Sequence, residues 1–136
     1  MGRRMMDLEA VMDEVATCMR QVPGLRAHGW PPGKVTPPVA VVNYPTSADY
    51  QVDGASWRLS LPLVIAFGRP SVKQTRGKLA AYLNGSGAAS VRQLVDAYAW
   101  TSCDSVTCTG ADVDVVSVAA VDYLAAVFTL DVIGSK

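Results

Sequence analysis

From Met5 to Val22 the apolar residues Met5, Leu8, Met12, Val15, Met19 and Val22 recur every three or four positions, with Asp7, Asp13, Glu14 and Arg20 off the stripe. That period predicts an amphipathic helix with one face on a core, its methionines serving as adaptable filling. Pro23-Gly24 ends the helix. The run on to Pro38, PGLRAHGWPPGKVTPP, holds too many Pro and Gly residues for a helix or a central strand, so an irregular crossing loop is expected. Trp30 is its anchor, either laid over the domain's own core or presented to a neighbouring subunit.

Period two then takes over. Val39 to Tyr44 is a short apolar run suited to a buried strand and stopped by Pro45, and Thr46 to Ala55 has no period, as a long hairpin arm or loop would. Ser56 to Phe67 alternates most clearly, with Trp57, Leu59, Leu61, Leu63, Ile65 and Phe67 on one face and Arg58, Ser60, Pro62, Val64 and Ala66 on the other. Pro62 has no N–H to give a ladder, which places this strand at an edge or bulges it there. The second face turns apolar towards its end, where a covering helix is expected.

Pro70 to Tyr98 reads as two helices joined by a glycine turn. Ser71 with Gln74 and Ser90 with Gln93 each make the S-x-x-Q spacing of a capping box, and Asn84 to Gly87 supply residues that tolerate the positive φ with which a helix stops. Ser105 to Ala119 is rich in Val and Thr with a break at Gly110, fitting two short strands or, preferably, one long bulged strand. Asp122 to Ile133 alternates again and should pair antiparallel with it. The whole chain, residues 1–136, is thus expected to be one α+β domain: a mainly antiparallel sheet of about four strands, with the N-terminal helix and the central helical pair packed on it.

Composition narrows the function classes. Twelve basic and twelve acidic residues give zero formal charge, so no global field concentrates nucleic acid or anionic lipid around the protein. The basic start at Arg3-Arg4 is followed by Asp7, Glu9, Asp13 and Glu14 instead of the apolar run of a secretion signal, Met6 breaks the myristoylation pattern, and no apolar run reaches the ~18 residues of a membrane span. A soluble intracellular protein without membrane contact is expected. Hydrophobic residues make up 50% and charged residues only 18%, below the usual ~25%, so some apolar surface is expected to meet a partner.

Candidate chemistry is sparse. Cys18, Cys103 and Cys108 are an odd number at unremarkable spacing; they fit reduced thiols better than a disulfide framework, with a Cys103–Cys108 pairing left open. One histidine, His28, with scattered cysteines does not make a zinc ligand set. No G-x-S-x-G elbow is present, and Gly85-Ser86-Gly87 lacks both a preceding strand and a Walker lysine. Asp112/Asp114 and Asp122/Asp131 fall on exposed strand faces, where solvation explains them. Arg69, Lys73, Arg76, Lys78 and Arg92 gather around the helical pair, as a solvated face or a local basic patch. No enzyme, metal or cofactor is expected.

The order of these features resembles one family. An amphipathic N-terminal helix, a strand ending in Asn43-Tyr44-Pro45, a long alternating strand, Leu79-x-x-Tyr82-Leu83 with Gly85-Ser86-Gly87, the Ser90-Val91-Arg92 helix start and the final Tyr123-Leu124-Ala125-Ala126-Val127-Phe128 strand together look like a tail terminator, or tail-completion protein, of long-tailed bacteriophages. The resemblance implies a subunit that forms a homo-hexameric ring on the finished tail tube, stops tube growth and presents the head-joining surface. Its implied partners are further copies of itself, the tail tube protein and head–tail connector proteins, with the genome passing through the ring without sequence-specific reading. Its place is the head-proximal end of the virion tail, after assembly in the host cytoplasm. The alternatives are another neck or head–tail connector protein and, from other classes, a small nucleic-acid-binding or thiol-dependent module. Aromatic and arginine residues near loops are the interface candidates: Trp30, Tyr50, Trp57, Arg58, Arg69 and Arg76.

Overall fold

The strongest alternation in the sequence becomes the middle of the sheet. A computed structural model, which describes residues 7–31, 36–50, 56–118 and 120–135, gives the order α1 (Leu8–Met19), β1 (Arg26–His28), β2 (Val39–Val42), β3 (Ser47–Tyr50), β4 (Ser56–Gly68), α2 (Lys73–Leu83), α3 (Val91–Ala97), β5 (Ser105–Val118) and β6 (Val121–Ser135). The strands form one sheet in the order β1-β2-β4-β6-β5, with β3 also paired to β4. All pairs are antiparallel except β1 with β2. The fold is α+β and mainly antiparallel, as the pattern implied, but with six strands instead of about four. Of the two readings of Thr46 to Ala55, the hairpin arm fits β3, which pairs antiparallel with β4, while β1 has no counterpart in the expected elements; the pattern dictates neither strand, for a physical reason. β1 has only three residues inside the Pro/Gly run expected to be irregular, and β3 is exposed at every position, so neither carries an apolar period.

One face of the sheet carries the core. Leu59, Leu61, Leu63, Ile65 and Phe67 of β4 pack with Ala126, Phe128, Leu130 and Val132 of β6 and with Val11, Val15, Met19, Val91 and Val95 of the helices. Phe67 lies 5.2 Å from Tyr82 of α2, ring centre to ring centre. The second face is different from expectation: Val39, Ala66 and Ala125 are buried among Val41, Val64, Val116 and Tyr123, all on strands, with no helix residue of the described chain in that cluster.

Pro62 occupies neither an edge nor a bulge. β4 is an internal strand whose register with β6 runs unshifted from Ser56 to Ala66, with Pro62 opposite Thr129. Its carbonyl accepts from the Asn43 amide at 2.9 Å, and the Thr46 amide reaches the Ser60 carbonyl at 2.9 Å. In an antiparallel ladder a residue's N and O face the same neighbour. The missing N–H of Pro62 therefore falls where the chain leaves β2 and re-enters as β3. The proline breaks its neighbour's pairing, not its own strand.

The bulged reading of β5 holds: the strand is continuous, with its register shift between Cys108 and Gly110. Helix signals were kept in part. Met5 and the start of the expected first helix lie outside the described residues; from Leu8 onwards Met12, Val15 and Met19 of the stripe are buried, joined by Val11, Ala16 and Cys18. α3 starts as written, with Ser90 Oγ accepting from the Gln93 amide at 3.2 Å and donating to the Asn84 carbonyl. Gln93 reaches back to the Gly87 amide at 3.0 Å, one turn earlier than a capping box would place it. α2 does not start as written. Its N-cap is Val72, with no side-chain cap, and Ser71 lies outside the helix. A turn closed by Val72 N to Arg69 O delays the start, and docking replaces capping: a Cβ on Gly68 would lie 2.8 Å from Thr75 Oγ1, so only glycine lets buried Thr75 approach so closely. Nor does α2 end on a left-handed residue, since Asn84 has a φ of -58° and, within residues 84–87, positive φ appears only at Gly87.

Glu14 ties α1 to the turn before β5. Its carboxylate accepts from the amides and hydroxyls of both Thr101 and Ser102, with the amide contacts at 2.8–3.1 Å. Desolvation, the largest single influence, raises its pKa, but the bonds from Ser102 and Thr101 together outweigh it and hold the carboxyl below its ordinary 4.5. Among the described residues, no helix is long and apolar enough to cross a membrane.

Candidate assembly surfaces

The six interface candidates occupy three separate places. Tyr50, Trp57 and Arg58 all lie on the β3–β4 pair, Tyr50 and Trp57 on one face and Arg58 on the other. Tyr50 stands opposite Trp57 in the register, and their rings stack at 5.5 Å and 8°, a cross-strand aromatic pair that holds the short β3 on β4. Arg58 lies opposite Asp49 on one side and pairs with Asp131 at 3.3 Å on the other. With half of its side chain open to water, that ion pair contributes little to stability. Trp57 Nε1 is buried without an acceptor among the described residues.

Arg69 and Arg76 lie at the second place. Arg69, Pro70 and Ser71 line a shallow groove of about 400 Å³ with Ala120 and Asp122 of the β5–β6 hairpin. α2 then presents Lys73, Arg76 and Lys78 to solvent and buries only Thr75 and Tyr82. Every charged residue from Arg69 to Arg92 is a cation, namely Arg69, Lys73, Arg76, Lys78 and Arg92. The basic residues grouped in the sequence are thus all exposed, three of them on α2.

Trp30 sits apart from both. It follows β1, 57% exposed, with its ring 6.2 Å from that of His28 in a T-shaped contact. It lines a groove of about 430 Å³ with Tyr44, itself 63% exposed, and with Leu8, Glu9, Met12 and Asp13 of α1. The wall is tight because Gly29 is buried against α1: a Cβ there would fall 2.5 Å from Asp13 Oδ1 and 3.2 Å from Asp13 Cα. Trp30 is thus exposed and lies outside the buried core. Tyr44, Glu9 and Asp13 were not among the candidates. The signal was present in Tyr44, an aromatic at a strand end just where Pro45 stops the ladder.

The groups with reactive potential are scattered and damped. Burial pushes the Cys18 thiol up to about 11, outweighing the Gln21 contact at 3.6 Å. Burial likewise raises Cys108, and Cys103 is fully buried, so these thiols are protonated near neutral pH, or in the case of Cys103 shielded from solvent, and are poor nucleophiles. All three are free. Among the described residues, no three His, Cys, Asp or Glu side chains are grouped to hold a metal ion. Compared with models of known protein families and with curated proteins, the chain matches none.

Proposed function

We propose that the chain is a non-catalytic structural subunit of a phage virion, a tail-terminator-like protein that joins copies of itself into a six-membered ring on the completed tail tube. The ring ends tube growth and presents the surface that receives the head. One observation carries the reading beyond the resemblance in sequence. The exposed aromatic and charged side chains diverge over separate surfaces, at Trp30 with Tyr44, at Tyr50 and Arg58 on opposite faces of the β3–β4 pair, and along α2, instead of converging in one pocket. A ring subunit needs such an arrangement, since a heterologous contact uses two different patches of each copy and the tube and head each take another. The function works through these surfaces without cofactor or metal. The partners are the chain itself, the tail tube protein and the head–tail connector proteins, and the genome passes through the ring unread.

Sedimentation of the purified full chain over a wide concentration range, with negative-stain images of the concentrated sample and of its mixture with tail tubes, tests this. The expected result is closed rings and decoration of one tube end. A strict monomer that leaves both tube ends bare would sink the reading. Rings that bind connector but not tube would move the chain to the sister neck proteins.

A further inference from the structure

We infer that the groove beside Trp30 and Tyr44 receives the cationic side chains of α2 from a second copy of this chain, in a head-to-tail contact. The inference rests on the reading of the chain as a ring subunit and names the contact that builds the ring.

The formal charge of zero conceals a segregation by element. Every charged residue from Asp7 to Met19 is an acid: Asp7, Glu9, Asp13 and Glu14. Glu14 is engaged by Thr101 and Ser102, while Asp7, Glu9 and Asp13 are exposed. On α2 the sign is reversed, with Lys73, Arg76 and Lys78 exposed and no carboxylate between Arg69 and Arg92. The two helices also stand over different parts of the sheet. α1 packs over β1 and β2 at one side, and α2 over β4 and β6 towards the other. One copy therefore carries exposed carboxylates along α1 over the β1–β2 side, with Arg20 and Arg26 beyond the helix end, and exposed cations along α2 over the inner strands, two different patches of the kind a heterologous contact requires.

The groove's chemistry matches that occupant better than a plain acidic surface would. Two exposed aromatic rings supply π faces for a guanidinium or ammonium group, Glu9 and Asp13 supply carboxylates at its rim, and Leu8 and Met12 give apolar ground for the methylene stems. α2 in turn fully buries only Thr75 and Tyr82, with Leu79 packed in part on the core, and Val72 at its start is 43% exposed.

Charge reversal in the full chain tests the contact. Glu9→Lys with Asp13→Lys, or Lys73→Glu with Arg76→Glu, should each weaken self-association about tenfold or more in sedimentation, and rising salt should weaken the unaltered protein likewise. An equimolar mixture of the two variants restores opposite charges at every contact and should recover assembly. Trp30→Ala is a variant without charge change; it should weaken association while leaving far-UV circular dichroism unchanged. Assembly that withstands both reversals overturns this contact and leaves the ring reading standing. Failure of the unaltered chain to self-associate overturns both. Loss produced by Arg3→Glu with Arg4→Glu, with the α2 reversals silent, would assign the groove to the chain's own arginines and overturn the contact as well.

Discussion

α1 and α2 are almost equal in length, twelve and eleven residues, yet they relate to the sheet in opposite ways. α1 buries Val11, Met12, Val15, Ala16, Cys18 and Met19, whereas α2 buries Thr75 and Tyr82. The first helix is held by packing along its length. The second is held mainly at Thr75 against Gly68 and Tyr82 against Phe67, with Leu79 packed in part on the core, and its exposed surface carries Lys73, Arg76 and Lys78. A helix whose sequence is not dictated by a core is free to be shaped by what it meets outside, and in this chain the free helix is the basic one.

Core truncation is the harshest way to break this contrast. Met19→Ala should cost about 2–5 kcal/mol because the fully buried site cannot collapse, while Leu79→Ala on half-buried α2 should cost about 1 kcal/mol. Urea midpoints of the two variants check this, and equal losses would show α2 to be as deeply anchored as α1. Next in size are the polar ties. Glu14→Gln should cost about 1 kcal/mol, kept low because the carboxylate is partly open to solvent. The folded pKa is depressed, so its contribution is fully present above the unfolded value near 4.5 and fades as pH falls through the folded one. The difference between wild type and Glu14→Gln in urea should therefore shrink from pH 7 to pH 3; a difference that grows would reverse the sign assigned to Glu14. The smallest effects compare two serines. Ser90→Ala should lose about 1 kcal/mol through its cap, and Ser71→Ala should stay within about 0.5 kcal/mol. A matching loss at Ser71 would mean that it caps α2 after all.

Much of the fold was legible because burial imposes a period. The odd-numbered positions of β4, the Met12–Val15–Met19 stripe of α1, the bulge near Gly110 and the Ser90 cap all follow from local alternation or local hydrogen bonding. The candidate site was less legible. Trp30, Arg69 and Arg76 were in view, but Tyr44, Glu9 and Asp13 join Trp30 only because β1 and β2 bring Gly29 and the β2 end beside α1.

The sequence by itself determined the class of fold, the central strand with its buried face, and the start of α3, since each depends on residues a few positions apart. Only the tertiary structure decided that Pro62 sits inside the sheet, that exposed β3 and three-residue β1 are strands, and that Ser71 caps nothing. In each case the deciding partner is distant in sequence: the gap between β2 and β3, the free ladder of β4, the seat of Thr75 on Gly68. The same holds for charge. A composition that sums to zero says nothing about fields, and folding sets the acids of α1 and the cations of α2 over different strands of one sheet.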